Sequence, residues 1–310
     1  MTDQHEHEDT FDRLKVMLHQ EEHLYCCPDY FAPNYRRNKV GVKQSIPTPL
    51  HVIEECAKLV TDLSFVDSDP AKQAMVSPHD VRSRTDSSKS SEPVSLPKVS
   101  PEIHLIPSWR SQMCSWAYTV VDTFGFSRTI VAICFDMLDR YLAKECLREV
   151  SLTRQDFQLL SMTCLYLAVK FHESGGKLCI DTLMDMSRGF FTMEDFEDAE
   201  LDILEALEWR LSPPTAHCFL MEFQSLYPMG FSSEWEFSCL ELLEVAVADA
   251  YFVPLKDSQV ALAAILVTAT KFNVPQEELE VFCEVIRSIV DVKDEQFIGI
   301  YAYLEDVISR

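Results

Sequence analysis

The 310-residue chain carries 50 acidic against 27 basic residues, a formal net charge of −23, and 47% of its residues are apolar. That length and apolar share can build cores for two domains of ordinary size, while so acidic a surface argues against holding nucleic-acid phosphates or docking on anionic membranes. Seven glycines, none in G-x-G or G-x-x-x-x-G-K-[ST], leave no loop in which backbone could close around a phosphate, so the chain is not expected to be a kinase itself.

The N-terminus, "MTDQHEHEDTFDR", is acidic and polar and does not read as a signal peptide, and no apolar run is long enough to span a bilayer. Eleven cysteines are scattered without a C-x-x-C pair, many inside apolar runs, the pattern of reduced, buried thiols in an intracellular protein. A soluble product of nucleus and/or cytoplasm is expected.

Residues 9–25 have helical spacing, with Phe11, Leu14, Met17 and Leu18 on one side. Within them "HQEEH" has the H-x-x-E-H form of inverted zinc peptidases, and His19 and His23 share a helix face. No cleft-forming scaffold surrounds them, so adventitious metal binding is the preferred reading over catalysis; neither a resident metal nor a cofactor is expected. A second helix is expected over 46–63. Residues 67–102 are rich in Ser, Pro and charge and read as a disordered linker. That stretch offers Ser77-Pro78 and Ser100-Pro101, where phosphorylation would create dianions for a basic receptor; an inert linker fits the composition equally.

From Pro107 the character changes. Helical patterns follow at 107–124, 127–143, 153–172, 179–188 and 193–208, then Pro213-Pro214 stops them. More follow at about 216–227, 233–252, 257–272, 276–290 and 293–309, and strand alternation is absent. The expected class is all-α, with five helices on each side of the break. The halves echo each other: "LLSMTCLYLAVKF" (159–171) and "VALAAILVTATKF" (260–272) both end in A-x-K-F. Each is preceded by a helix with Asp-x-Tyr, at Asp139/Tyr141 and Asp249/Tyr251.

Four stretches now carry a resemblance. Trp109 to Trp116, "WRSQMCSW", stands where the cyclins have M-R-A-I-L-x-D-W. "FDMLDRYLA" (135–143) resembles their N-Y-x-D-R-[FY]-L. "FQLLSMTCLYLAVKFHE" (157–173) is similar, without a gap, to the helix ending A-x-K-[YF]-E-E. "DAELDILEALEWRLSPPT" (198–215) is similar to the fifth helix and the P-T that follows it. The resemblance is strong over 107–215, weaker over 216–309 and slight over 1–66, though "MLHQEEHLY" is similar to an acidic helix of D-type cyclins.

The resemblance implies two tandem five-helix cyclin folds. The expected organisation is an N-terminal helical segment (1–66), a linker (67–104), an N-terminal cyclin box (105–213) and a second cyclin fold (214–310). It implies a non-catalytic regulatory subunit that binds and activates a cyclin-dependent kinase, G1-type in role, with kinase substrates or inhibitors as further partners. Carried over by position, Lys170 and Glu200 are the residues that grip the kinase backbone, one donating and one accepting. Taken alone, Lys170 is equally a lysine favoured by the carbonyl end of a helix, as Lys271 is read to be, and Glu200 is one acid among many on a solvated helix.

Arg110 and Asp139 are read as a structural brace between the first two box helices. Phe157, Leu160, Cys164, Leu167 and Phe171 are read as core. A substrate-docking patch would comprise Trp109, Met113, Trp116 and Gln158, but Gln112 and Trp109 depart from the family pattern and put docking of R-x-L peptides in doubt. R-x-x-L and L-x-C-x-E, ligands of the degradation and pocket-protein machinery, are absent. The rival readings are a kinase-independent adaptor or transcription-related user of the same fold, and a zinc hydrolase using His19 and His23.

Overall fold

The computed structural model of the chain describes residues 2–31, 107–147, 152–174, 178–227, 230–272, 274–290 and 295–309. The helix expected over 46–63, the Ser/Pro-rich stretch, Ser77 and Ser100 lie outside the described residues. Among the described residues every regular element is helical. After α1 (Thr2–His23) come α2 (Pro107–Phe124), α3 (Thr129–Leu147), α4 (Arg154–His172), α5 (Ile180–Met186) and α6 (Met193–Ala206). Past the proline pair follow α7 (Ala216–Ser225), α8 (Ser233–Ala248), a 3₁₀ turn (Ala250–Phe252), α9 (Asp257–Lys271), α10 (Gln276–Arg287) and α11 (Glu295–Ile308). The all-α class holds, and no helix crosses Pro213-Pro214.

Local chemistry sets several of these ends. The Thr153 hydroxyl accepts from the N–H of Asp156 at 3.2 Å while the Asp156 carboxylate accepts from the Thr153 N–H at 2.8 Å, a reciprocal cap that starts α4. Thr192 and Asp195 start α6 with the same two bonds. Asp249 ends α8 in an extended conformation (φ −99°, ψ 125°), four residues short of the expected end. One oxygen accepts from the Tyr251 N–H at 2.9 Å and the other from the Tyr303 hydroxyl. The second Asp-x-Tyr is therefore a cap between helices, whereas Asp139 sits inside α3; the echo holds for the A-x-K-F helices and not for these.

Each half closes around its third helix. α4 packs against α2, α3 and α6, and α9 against α7, α8 and α11. Both are apolar nearly all round because neighbours cover nearly all of their surface. Phe135, Phe157 and Phe196 fill the first core, and Phe219, Phe223 and Phe282 the second. Alanines at 261, 263, 264 and 269 let the partners of α9 approach closely. Phe157, Leu160, Cys164 and Leu167 are buried as expected, but Phe171 is 48% exposed. It continues the same stripe past the end of the core, one residue before α4 stops.

The N-terminal segment belongs to both halves. Leu14 of α1 is wholly buried in the second core, with Phe11, Met17 and Leu18 packed beside it, while Tyr30 is buried in the first. The Glu21 carboxylate accepts from the Ser258 N–H and hydroxyl, each at 2.7 Å, and so closes the N-terminus of α9. Arg128 ties the halves directly, with Nε and Nη2 both 2.6 Å from the Glu244 carboxylate.

Candidate functional site

Lys170 stands in the last turn of α4 and Glu200 in the middle of α6, helices that pack side by side. Their side chains meet: Lys170 Nζ donates to Glu200 Oε1 at 2.8 Å. Sequence position had put the two charges on one partner; it had not put them on each other. Lys170 is 46% exposed and Glu200 16%, so the pair is an exposed ion pair worth at most about 1 kcal/mol. The hydrogen bond that Lys170 donates to the Glu200 carboxylate is the main reason its ammonium holds its proton above the ordinary lysine range. The Tyr166 ring lies 5.2 Å from the same ammonium. An ammonium has three donors and a carboxylate two acceptor oxygens. After this bond both retain capacity for a partner, and each is already held in position.

Three exposed apolar side chains lie on α4, on α6 or just past its end, and sequence reasoning missed them as surface. Phe171 directly follows Lys170, Leu201 directly follows Glu200, and Trp209 follows the end of α6; Leu201 is 53% and Trp209 63% exposed. Glu208 and Trp209 have φ of 54° and 59°, in the left-handed region that side chains other than glycine adopt at a cost. That turn directs Trp209 out of the core. His172 Nε2 lies 2.9 Å from the Leu211 carbonyl, joining the end of α4 to the chain beyond Trp209. Apolar side chains left in water, two of them next in the chain to the paired charges, are the composition of an interaction surface. The available signal was adjacency to the two charges.

The brace is more connected than expected. Arg110 Nη2 donates to Asp139 Oδ2 at 2.7 Å and Nε to Oδ1 at 3.0 Å, with both residues buried. Arg110 Nη1 also reaches across to the carbonyl of Val247 at the end of α8, and the Tyr30 hydroxyl donates to Asp139 at 2.6 Å. Burial opposes the Arg110 charge, yet the Asp139 carboxylate holds its proton above the ordinary arginine range. α2, α3, α8 and the N-terminal segment are thus pinned at one ion pair.

The docking-patch residues are placed on α2 and the start of α4. Trp109 is half-buried with its ring 6.1 Å from that of Phe157. Trp116 and Gln158 are also half-buried. Met113 lies beneath them, 2% exposed, in the first core. Gln112 accepts from Arg154 at 3.3 Å. Lys271, exposed at the end of α9, has the Phe272 ring at 5.8 Å. His19 and His23 do share a face, with ring centroids 4.6 Å apart. Among the described residues no group of three His, Cys, Asp or Glu is placed to hold a metal ion.

Comparison with known proteins gives this geometry its setting. Residues 81–212 match the family model of the cyclin N-terminal domain. Cyclin-D2-2 of Oryza sativa subsp. japonica is 27% identical over 161 residues, covering 51% of this chain and 45% of that protein. Cyclin-D3-1 of Arabidopsis thaliana is 27% identical over 162 residues, 51% of this chain and 42% of that protein. The matched stretch spans less than half the length of these curated relatives. A viral cyclin from herpesvirus saimiri shares the fold, with a TM-score of 0.53 at 18% identity over 66% of this chain and 86% of the viral one.

Proposed function

As a member of the cyclin family, similar to its D-type members, the chain is, we propose, a regulatory subunit that binds a cyclin-dependent kinase through the Lys170–Glu200 face. The observation that carries this reading is the Lys170–Glu200 charge pair on the surface, with Phe171 and Leu201 next to its members in the chain and Trp209 past the end of α6 all exposed. A kinase backbone segment laid along the face takes hydrogen bonds from the lysine and gives them to the glutamate. The three apolar side chains supply the area that the ion pair lacks, since charge contacts set register while buried aromatics carry affinity. The subunit contributes no catalytic residue of its own. It acts by fixing the kinase in the arrangement that completes its active site.

The similarity to D-type cyclins supports a G1-type role, with action in nucleus or cytoplasm. The exchange of Lys170 and Glu200 with each other supports a second reading, a kinase-independent adaptor in which the pair only ties α4 to α6. Reconstitution separates the two: purified full-length chain is added to a panel of purified cyclin-dependent kinases, and phosphate transfer to a protein substrate is followed. Activation of at least one kinase by the wild type, lost with Lys170→Ala/Glu200→Ala, supports the regulator. Activation of none supports the adaptor.

A further inference from the structure

Where the two helical halves and the N-terminal segment meet, they enclose a cavity of about 230 Å³. Phe135, Leu243 and Phe252 give it apolar walls. Its charged groups are unbalanced: Glu21, Glu22, Asp136, Asp139 and Asp257 face it, against Arg110 and Lys256. Most of these are already engaged. Arg110 is taken up by Asp139 and the Val247 carbonyl, and Glu21 by Ser258. Asp136 is met by Arg140 at one oxygen only, with Nε 2.7 Å from Oδ2.

Asp257, half-buried at the first turn of α9, is met by the backbone N–H of Ala216 and by no cationic side chain among the described residues. Burial, and then the charges of Glu21 and Asp136, hold its carboxyl well above the ordinary range. His217 lines the same cavity and is only 5% exposed, yet its Nδ1 has no hydrogen-bond partner among the described residues. Burial pushes this imidazole down to about 4, so near neutral pH it is uncharged and offers a ring nitrogen as acceptor.

We propose that this cavity binds an organic cation, an alkylammonium or guanidinium group, between Asp257, Asp136 and His217. A carboxylate without a cation, the free oxygen of a second carboxylate and a neutral imidazole are acceptors looking for N–H donors, and such groups are costly to leave unmade inside a protein. The apolar walls suit the carbon stem of such a ligand, and the volume suits a group the size of a lysine or arginine side chain. A bare metal ion fits less well, because no three ligating side chains converge among the described residues. The same chemistry is offered by a free small cation and by a basic side chain of a partner protein.

The test is thermal unfolding and calorimetric titration of the full chain with n-butylammonium chloride, methylguanidinium chloride and a Gly-Arg-Gly peptide. Sodium chloride at equal ionic strength and a Gly-citrulline-Gly peptide are the controls. Asp257→Asn keeps the oxygen that accepts from Ala216 and removes a buried charge, so it folds at least as well as the wild type. Glu234→Gln removes one charge from the exposed face of α8. Saturable stabilisation beyond the salt control, weakened about tenfold or more in Asp257→Asn and unchanged in Glu234→Gln, is the expected result. If the small cations give it, the ligand is a free cation; if only the arginine peptide does, it is a protein side chain. No saturable effect beyond salt, or an effect that Asp257→Asn leaves intact, overturns the proposal.

Discussion

The hydroxyl of Tyr30 donates to Oδ1 of Asp139 at 2.6 Å in the interior, across 109 positions of chain. Asp139 is also the acceptor for Arg110, so the N-terminal segment is bonded to the ion pair that holds α2, α3 and the end of α8. Tyr30→Phe keeps the ring and deletes this bond to a charged acceptor. It is expected to cost about 1.5–3 kcal/mol, read as a lower urea midpoint at unchanged slope. Arg110→Ala leaves the Asp139 charge buried and uncompensated and is expected to cost more, about 3–5 kcal/mol. A Tyr30→Phe midpoint equal to that of the wild type would remove the N-terminal segment from the brace.

His217 sets a pH dependence of definite sign. Its folded value is about 4 against an ordinary 6.5, with burial the cause. Below 6.5 the unfolded chain takes up a proton that the folded chain refuses, so this group's contribution falls as pH drops from about 6.5 to about 4, then levels. Glu21, Asp136 and Asp257, all held above their ordinary values chiefly by burial, run the other way and gain as pH falls. The comparison of wild type with His217→Gln isolates the imidazole. Across that window the balance shifts toward the variant by up to about 3 kcal/mol. Parallel stability curves between pH 7 and 4 would contradict this.

Phe171 and Trp209 separate binding from folding. Both are exposed, so Phe171→Ala is expected to change stability by no more than about 0.5 kcal/mol. Trp209→Asn, which the left-handed backbone tolerates better, is expected to hold stability or raise it by up to about 1 kcal/mol. Each should nonetheless weaken kinase capture about tenfold or more, as removal of an aromatic anchor does. Urea unfolding beside surface plasmon resonance reads both. Loss of stability in step with loss of binding would return the two aromatics to the core.

Much of the fold was legible because its signals are local. Helical spacing and the proline pair each act within a few residues, and so most helices fell within a few residues of their expected ends, although α1 begins at Thr2, seven residues before its expected start. What was not legible depends on distant partners. Tyr30 has no period that marks it as core, because its place is made by Asp139. Asp249 looked like Asp139 in sequence, yet one caps a 3₁₀ turn and the other sits within a helix beside Arg110. Phe171 continues an apolar stripe whose covering helices end before it does. Lys170 and Glu200 were identified by resemblance, but their contact with each other arises only once α4 and α6 pack.

That pair is the centre of the functional account. The most direct measurement is a tagged pull-down from the native cell, wild type beside Lys170→Ala/Glu200→Ala, with phosphorylation assay of the eluate and thermal unfolding of both proteins. An exposed ion pair contributes little to folding, about 1 kcal/mol or less, so the variant should melt within a few degrees of the wild type. Losing both partner contacts costs about 2–5 kcal/mol of binding, enough to empty the pull-down. The account predicts that a cyclin-dependent kinase and its activity come down with the wild type and vanish with the variant. A variant that keeps the kinase, or a wild type that captures none, contradicts it.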